Sequence, residues 1–174
     1  MTPQTTIGLH ASLISPDEET DMDLILWRHA EAEDTEPDLT RNLTDKGRQQ
    51  AHNMAQWLRG YLPAQVRIVC SPANRTRQTA DALGLSYDIR NDIAPGAAAD
   101  DLLKATGWPR GDGVVLLVGH NPAISELATR LLAGKPFPMS LCKAGAWWLS
   151  TGTRDDERGV ILKAAMVPAM LKQR

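Results

Sequence analysis

The chain has 174 residues, 43% hydrophobic and 23% charged, with 19 Lys and Arg against 21 Asp and Glu for a formal charge of -2. That length favours one domain with a core that needs no disulfide or metal to hold it. The near-zero charge argues against a nucleic-acid binder, and no apolar run approaches the roughly 18 residues that span a bilayer.

Met1 to Asp21 is rich in Thr, Ser, Asp and Glu and shows no periodicity. It reads as a flexible acidic leader, or as translation begun upstream of a start at Met22, ahead of one domain over residues 22–174. The first 27 residues hold no Lys or Arg, so a secretory signal is not expected. The two cysteines, Cys70 and Cys142, form neither a disulfide framework nor a metal spacing and read as thiols in a reducing cytoplasm.

Leu24 to Trp27 is a short continuous apolar run, the pattern of a strand buried on both faces. Thr44 then caps a helix whose apolar positions Ala51, Met54, Ala55 and Leu58 follow i, i+3, i+4, i+7 spacing and stop at Gly60. Val66 to Cys70 is a second strand. Ser71-Pro72 reads as N-cap and first-turn proline of a helix running through Leu83 to Gly84. An irregular stretch around Pro95–Asp101 precedes a short helix, and Val114 to Val118 is the strongest strand signal in the chain.

Asn121-Pro122 again reads as N-cap and first-turn proline, opening a helix with an apolar stripe at Ile124, Leu127, Ala128 and Leu131. Strands over Gly145–Ser150 and Val160–Ala164 follow, joined by the charged turn Arg154–Gly159. Strand–helix alternation of this kind implies a three-layer α/β/α sandwich with a mostly parallel central sheet, to which the last strand pair adds an antiparallel element.

Each of the three main strands ends in polar residues: Arg28-His29, then Ser71 with Arg75 one helical turn on, then Gly119-His120. Parallel strands joined by right-handed crossovers present their carboxyl ends on one edge, where ligands bind in open α/β sheets. Two arginines, two histidines and helix N-termini therefore converge on an oxyanion site, with phosphate as the natural ligand. His10, His52 and Arg77 read as solvated. Of five tryptophans, Trp27 and one of Trp147 and Trp148 are expected in the core.

On these residues the chain resembles the histidine phosphatase superfamily, which includes the cofactor-dependent phosphoglycerate mutases, and within it the small SixA-type phosphohistidine phosphatases. The matching segments are Leu26 to Ala30, Arg41 to Thr44 with Gly47, Ser71-Pro72 through Arg75 with Gln78-Thr79-Ala80, and Gly119 to Pro122. The resemblance implies a phosphoglycerate mutase-like fold and a transiently phosphorylated nucleophile at His29. Arg28, Arg75 and His120 would complete the phosphate pocket, with no cofactor and no metal, since arginines supply the charge. The implied partner is a phosphorylated histidine phosphotransfer protein or a small phosphoester.

Two departures from the family pattern stand out. Ala30 occupies a position where many members have Gly. Members acting on phosphoesters commonly use a glutamate as general acid, whereas here the corresponding region, Arg90 to Gly96, offers only Asp92. Asp92 is either that acid or a loop cap, and Arg41 is either a substrate contact at the rim or a solvated loop residue. A phosphoramidate depends less on an enzymic acid, which favours phosphohistidine. A small-molecule phosphomonoesterase and an inactive phosphate-binding module are the alternatives. A cysteine phosphatase is excluded, because Cys-x5-Arg fails with Thr at position 76.

Overall fold

A computed structural model describes residues 21–154 and 157–171. The leader expected over residues 1–21 lies outside the described residues except for Asp21, as do Asp155 and Asp156 of the predicted charged turn. Six strands form one sheet: β1 (Met22–Arg28), β2 (Val66–Cys70), β3 (Asp88–Ile89), β4 (Gly113–Gly119), β5 (Ala146–Arg154) and β6 (Glu157–Met166). Their spatial order is β3-β2-β4-β1-β5-β6. β3, β2, β4 and β1 pair in parallel, and β5 pairs antiparallel with both β1 and β6. The expected parallel sheet with an antiparallel C-terminal element is thus present.

Period-2 alternation divides the core. Leu24 and Leu26 of β1, with Val115 and Leu117 of β4, face α3 (Ala99–Thr106) and α4 (Ala123–Ala133), meeting Leu102, Ile124 and Leu127. Ile25 and Trp27, with Leu116 and Val118, face α1 (Asp45–Arg59) and α2 (Asn74–Asp81), meeting Met54 and Leu58. Both faces of the central strands are therefore covered, which is why their sequences read as continuous apolar runs. Trp108 is also buried, at 5% exposure, beside the expected Trp27 and Trp148.

α1 follows its sequence signals closely. Thr44 Oγ1 accepts the Gly47 N–H at 2.9 Å, and every expected apolar position is buried. α2 differs: it begins at Asn74 rather than at Pro72, and Ser71 does not cap it. The Ser71 hydroxyl bonds a histidine instead, while Thr76 Oγ1 turns back onto the Ser71 and Ala73 carbonyls and shapes the entry to the helix. Asn121 likewise does not cap α4. Its Nδ2 donates to Ser140 Oγ at 2.7 Å and to the Leu141 carbonyl at 3.2 Å, and its Oδ1 accepts from Ser125 Oγ. α3 starts at Ala99, inside the stretch read as irregular. β3 was not anticipated, since two exposed residues carry no period. β5 and β6 run further into the charged turn than the sequence suggests.

Register is what sets the site. Arg28 lies opposite Gly119, and both Cys70 and Trp27 lie opposite Val118, so β1, β2 and β4 end level with one another. His29 N–H then donates to the Gly119 carbonyl at 3.1 Å and Ser71 N–H to the Val118 carbonyl at 3.2 Å. His29, Ser71 and His120 leave the sheet side by side.

Candidate active site

His29 follows directly from β1. Its Nδ1 lies 2.7 Å from the carbonyl oxygen of Ala30, a group that can only accept. Nδ1 therefore carries the ring proton, and Nε2 keeps a lone pair. Burial foremost, with the guanidiniums of Arg75, Arg28 and Arg41 adding to it and the Ala30 hydrogen bond opposing, pushes the His29 pKa down from 6.5 to about 4. At neutral pH the ring is uncharged.

His120 sits with its ring centre 5.2 Å from that of His29. It is 7% exposed, and its Nε2 lies 2.6 Å from Ser71 Oγ, while Nδ1 is buried with no partner among the described residues. Burial first, then His29 and Arg75, lower its pKa to about 3, against an opposing pull from Asp38.

Arg28 donates from Nη1 to the Leu141 carbonyl at 2.6 Å, and its Nε is buried without a partner among the described residues. The same carbonyl accepts from Asn121, so the loop carrying Leu141 is tied both to α4 and to the first arginine. Arg75, in the first turn of α2, is 5% exposed. Its Nη1 donates to the Asp38 carbonyl at 2.7 Å and its Nη2 to Asp38 Oδ2 at 3.0 Å. Arg41 meets the other oxygen, Asp38 Oδ1, at 3.2 Å.

The structure thus brings Arg28, His29, Arg75 and His120 together and sets Arg41 at the margin of the cluster. Asp92 is elsewhere engaged: Arg90 grips both of its oxygens, at 3.1 and 2.6 Å, and holds its carboxyl below the usual carboxylate range. Asp92 makes no hydrogen bond or ion pair to the four clustered residues. Ala30 is fully buried and is not among the described residues with positive φ, so its methyl group is accommodated without left-handed backbone.

Several supporting residues escaped sequence reasoning. Thr79 Oγ1 accepts the Ala30 N–H at 3.0 Å and donates to the Arg75 carbonyl at 2.6 Å, locking the His29 loop to α2. Gln78 accepts the Leu43 N–H at 2.7 Å and donates to Asn42 at 2.9 Å. Both residues lay in the matching segments, but nothing local revealed their partners. Asp38 gave no signal at all. Among the described residues no group of three or more His, Cys, Asp or Glu side chains could hold a metal ion, and no helix is long and apolar enough to cross a membrane.

An α/β/α sheet with a neutral imidazole, two guanidiniums and a second histidine gathered at its carboxyl edge is a phosphoglycerate mutase-like fold carrying a candidate oxyanion site. The family model of the histidine phosphatase superfamily (branch 1) matches residues 24–98. A phosphohistidine phosphatase SixA homolog of Haemophilus influenzae is 30% identical over 139 residues, 71% of this chain and 84% of the relative. The Escherichia coli phosphohistidine phosphatase SixA is 27% identical over 162 residues, 87% of this chain and 97% of that protein. The solved structure of a protein histidine phosphatase SixA complexed with tungstate superposes with a TM-score of 0.69 at 26% identity, covering 87% of this chain and all of the other. The chain belongs to the histidine phosphatase superfamily, in its SixA-type branch, and is a phosphatase.

Proposed function

We propose that the chain is a metal-independent phosphohistidine phosphatase of the cytoplasm, built on residues 22–174, with His29 as its nucleophile. The observation that carries this reading is the protonation state of the site. His29 is neutral with its Nε2 lone pair free. Neither Asp92 nor Asp38 stands ready as an acid: Arg90 holds Asp92 low, and for Asp38 partial desolvation is outweighed by the hydrogen bonds of Arg75 and Arg41. A phosphoester would require a proton donor for its departing alkoxide. A phosphohistidine leaves through a ring nitrogen and needs no such donor once its other nitrogen is protonated.

In the first step His29 Nε2 attacks phosphorus in line, the substrate P–N bond breaks, and its electron pair returns to the departing imidazole. Arg28, Arg75 and His120 stabilise charge on the equatorial oxygens, which is most of what phosphoryl transfer requires of a protein. Water then attacks the phosphorus on His29, releasing inorganic phosphate and restoring the neutral ring.

The test compares kcat/KM for a phosphorylated histidine carrier with that for a panel of phosphoesters, and traps the intermediate by acid-labile ³²P labelling. Preference for the carrier with a label lost in His29→Ala supports the reading. Preference for a phosphoester would make the chain a phosphomonoesterase, and absence of label with every substrate would remove the nucleophile.

A further inference from the structure

Ser71 directly follows β2 in a fully buried position, its N–H donating to the Val118 carbonyl and its own carbonyl taken by Thr76. Its hydroxyl has one close partner, His120 Nε2 at 2.6 Å, and a longer approach from the Ala73 N–H at 3.5 Å. The hydroxyl already receives whatever the Ala73 amide donates, so its single proton must find an acceptor elsewhere. His120 Nε2 is the only acceptor within reach among the described contacts. Were Nε2 to carry the ring proton, the Ser71 hydroxyl hydrogen would be buried with nowhere to go, the arrangement that folded proteins avoid.

The other ring nitrogen gives the same answer. His120 Nδ1 is buried and has no partner among the described residues. As a bare lone pair it would repel an incoming oxyanion; as N–H it is a donor awaiting an acceptor. Burial holds the ring neutral before substrate arrives, so only one nitrogen bears a proton, and which one decides whether His120 attracts or repels phosphate.

We infer that Ser71 is a positioning residue that fixes His120 in the Nδ1–H tautomer, so that a neutral histidine presents a hydrogen-bond donor to the phosphoryl oxygen. The two histidines of the site then share a tautomer, Nδ1–H, for opposite ends: His29 spends that proton on the Ala30 carbonyl to free Nε2 for attack, while His120 keeps it for the ligand. This inference rests on the phosphatase reading for its purpose, but the tautomer can be read without any turnover.

Long-range ¹⁵N–¹H correlation spectra of the full chain at pH 7 should show His120 with a protonated Nδ1 and an unprotonated Nε2. In Ser71→Ala the ring should shift toward Nε2–H, and kcat should fall about 10- to 100-fold, the range seen when an outer partner of a functional imidazole is removed. KM should change less, and Ser71→Thr should restore both signals. A wild-type His120 protonated on Nε2 overturns the inference, as does Ser71→Ala with tautomer and kcat unchanged. If Ser71→Ala does not fold, the wild-type spectrum alone decides. Absence of turnover on every substrate, with the Nδ1–H signal present, would count against the phosphatase reading and leave the tautomer assignment standing.

Discussion

The carboxylate of Asp38 lies 3.0 Å from Nη2 of Arg75, and its backbone carbonyl takes Nη1 of the same guanidinium at 2.7 Å. An internal anion thus occupies the arginine that phosphate would need, in a loop that also brings in Arg41. Replacing Asp38 with Asn removes the competing charge while keeping the shape. The side chain is 44% exposed, so the pair is screened and the gain is modest, at most about 1 kcal/mol or fivefold tighter phosphate. The inhibition constant for inorganic phosphate at fixed ionic strength measures it. Weaker binding in Asp38→Asn would instead mean that the carboxylate serves to hold Arg75 in place.

Arg75 is the more consequential partner. Arg75→Ala leaves the fold's core intact but removes a buried, preorganised charge donor, and kcat is expected to fall about 10²–10³-fold. A loss confined to KM would show that the guanidinium binds ground state and transition state equally.

With His29 as the proposed nucleophile, its titration is expected to set the acid limb of activity. Its pKa is pushed to about 4, chiefly by burial, so kcat/KM should hold steady through pH 6.5, where an ordinary histidine would protonate, and fall only toward pH 4. Stability has its own window. The unfolded chain takes up protons near pH 6.5, the folded one only near 4 and 3 for His29 and His120. Their neutral burial therefore costs stability progressively as pH drops below 6.5. Urea midpoints at pH 7 and pH 5 should differ, and the difference should shrink in His29→Asn. An unchanged difference would assign the acid sensitivity to other groups.

Gly47 tests how the loop after His29 is held. A Cβ at this position would lie 1.9 Å from the Glu31 carbonyl oxygen, a backbone atom that cannot swing aside. Gly47→Ala should lower stability by about 1–3 kcal/mol, the usual cost of overpacking, and it should disturb activity because Glu31 is two residues from His29, the proposed nucleophile. A melting temperature matching wild type would show that the loop yields freely.

If Arg28 and Arg75 supply the positive charge at the phosphoryl group as proposed, incubation with EDTA followed by assay in chelated buffer is expected to leave turnover unchanged. Loss of activity restored by a divalent cation would contradict this.

The elements and the four clustered residues were legible because their signals are local. Leu24 to Trp27 and Val114 to Val118 are apolar without a break since helices cover both faces of those strands, and α1 declares its stripe and its Thr44 cap within 15 residues. Parallel strands with level ends bring their following residues together whatever lies between, so the strand pattern alone puts Arg28, His29, Arg75 and His120 on one edge. What the tertiary structure decided were the pairings. Ser71 and Asn121 look like caps in sequence, but a hydroxyl or amide goes to the strongest partner within reach, and for these residues that partner arrives from another element. The Ser71–His120 and Asp38–Arg75 contacts join residues 49 and 37 positions apart, and no periodicity encodes such distances. The near-neutral charge of -2 misled only in scale: it averages over a surface, while the candidate site gathers a few cationic and neutral groups whose burial and partners only the folded chain assigns.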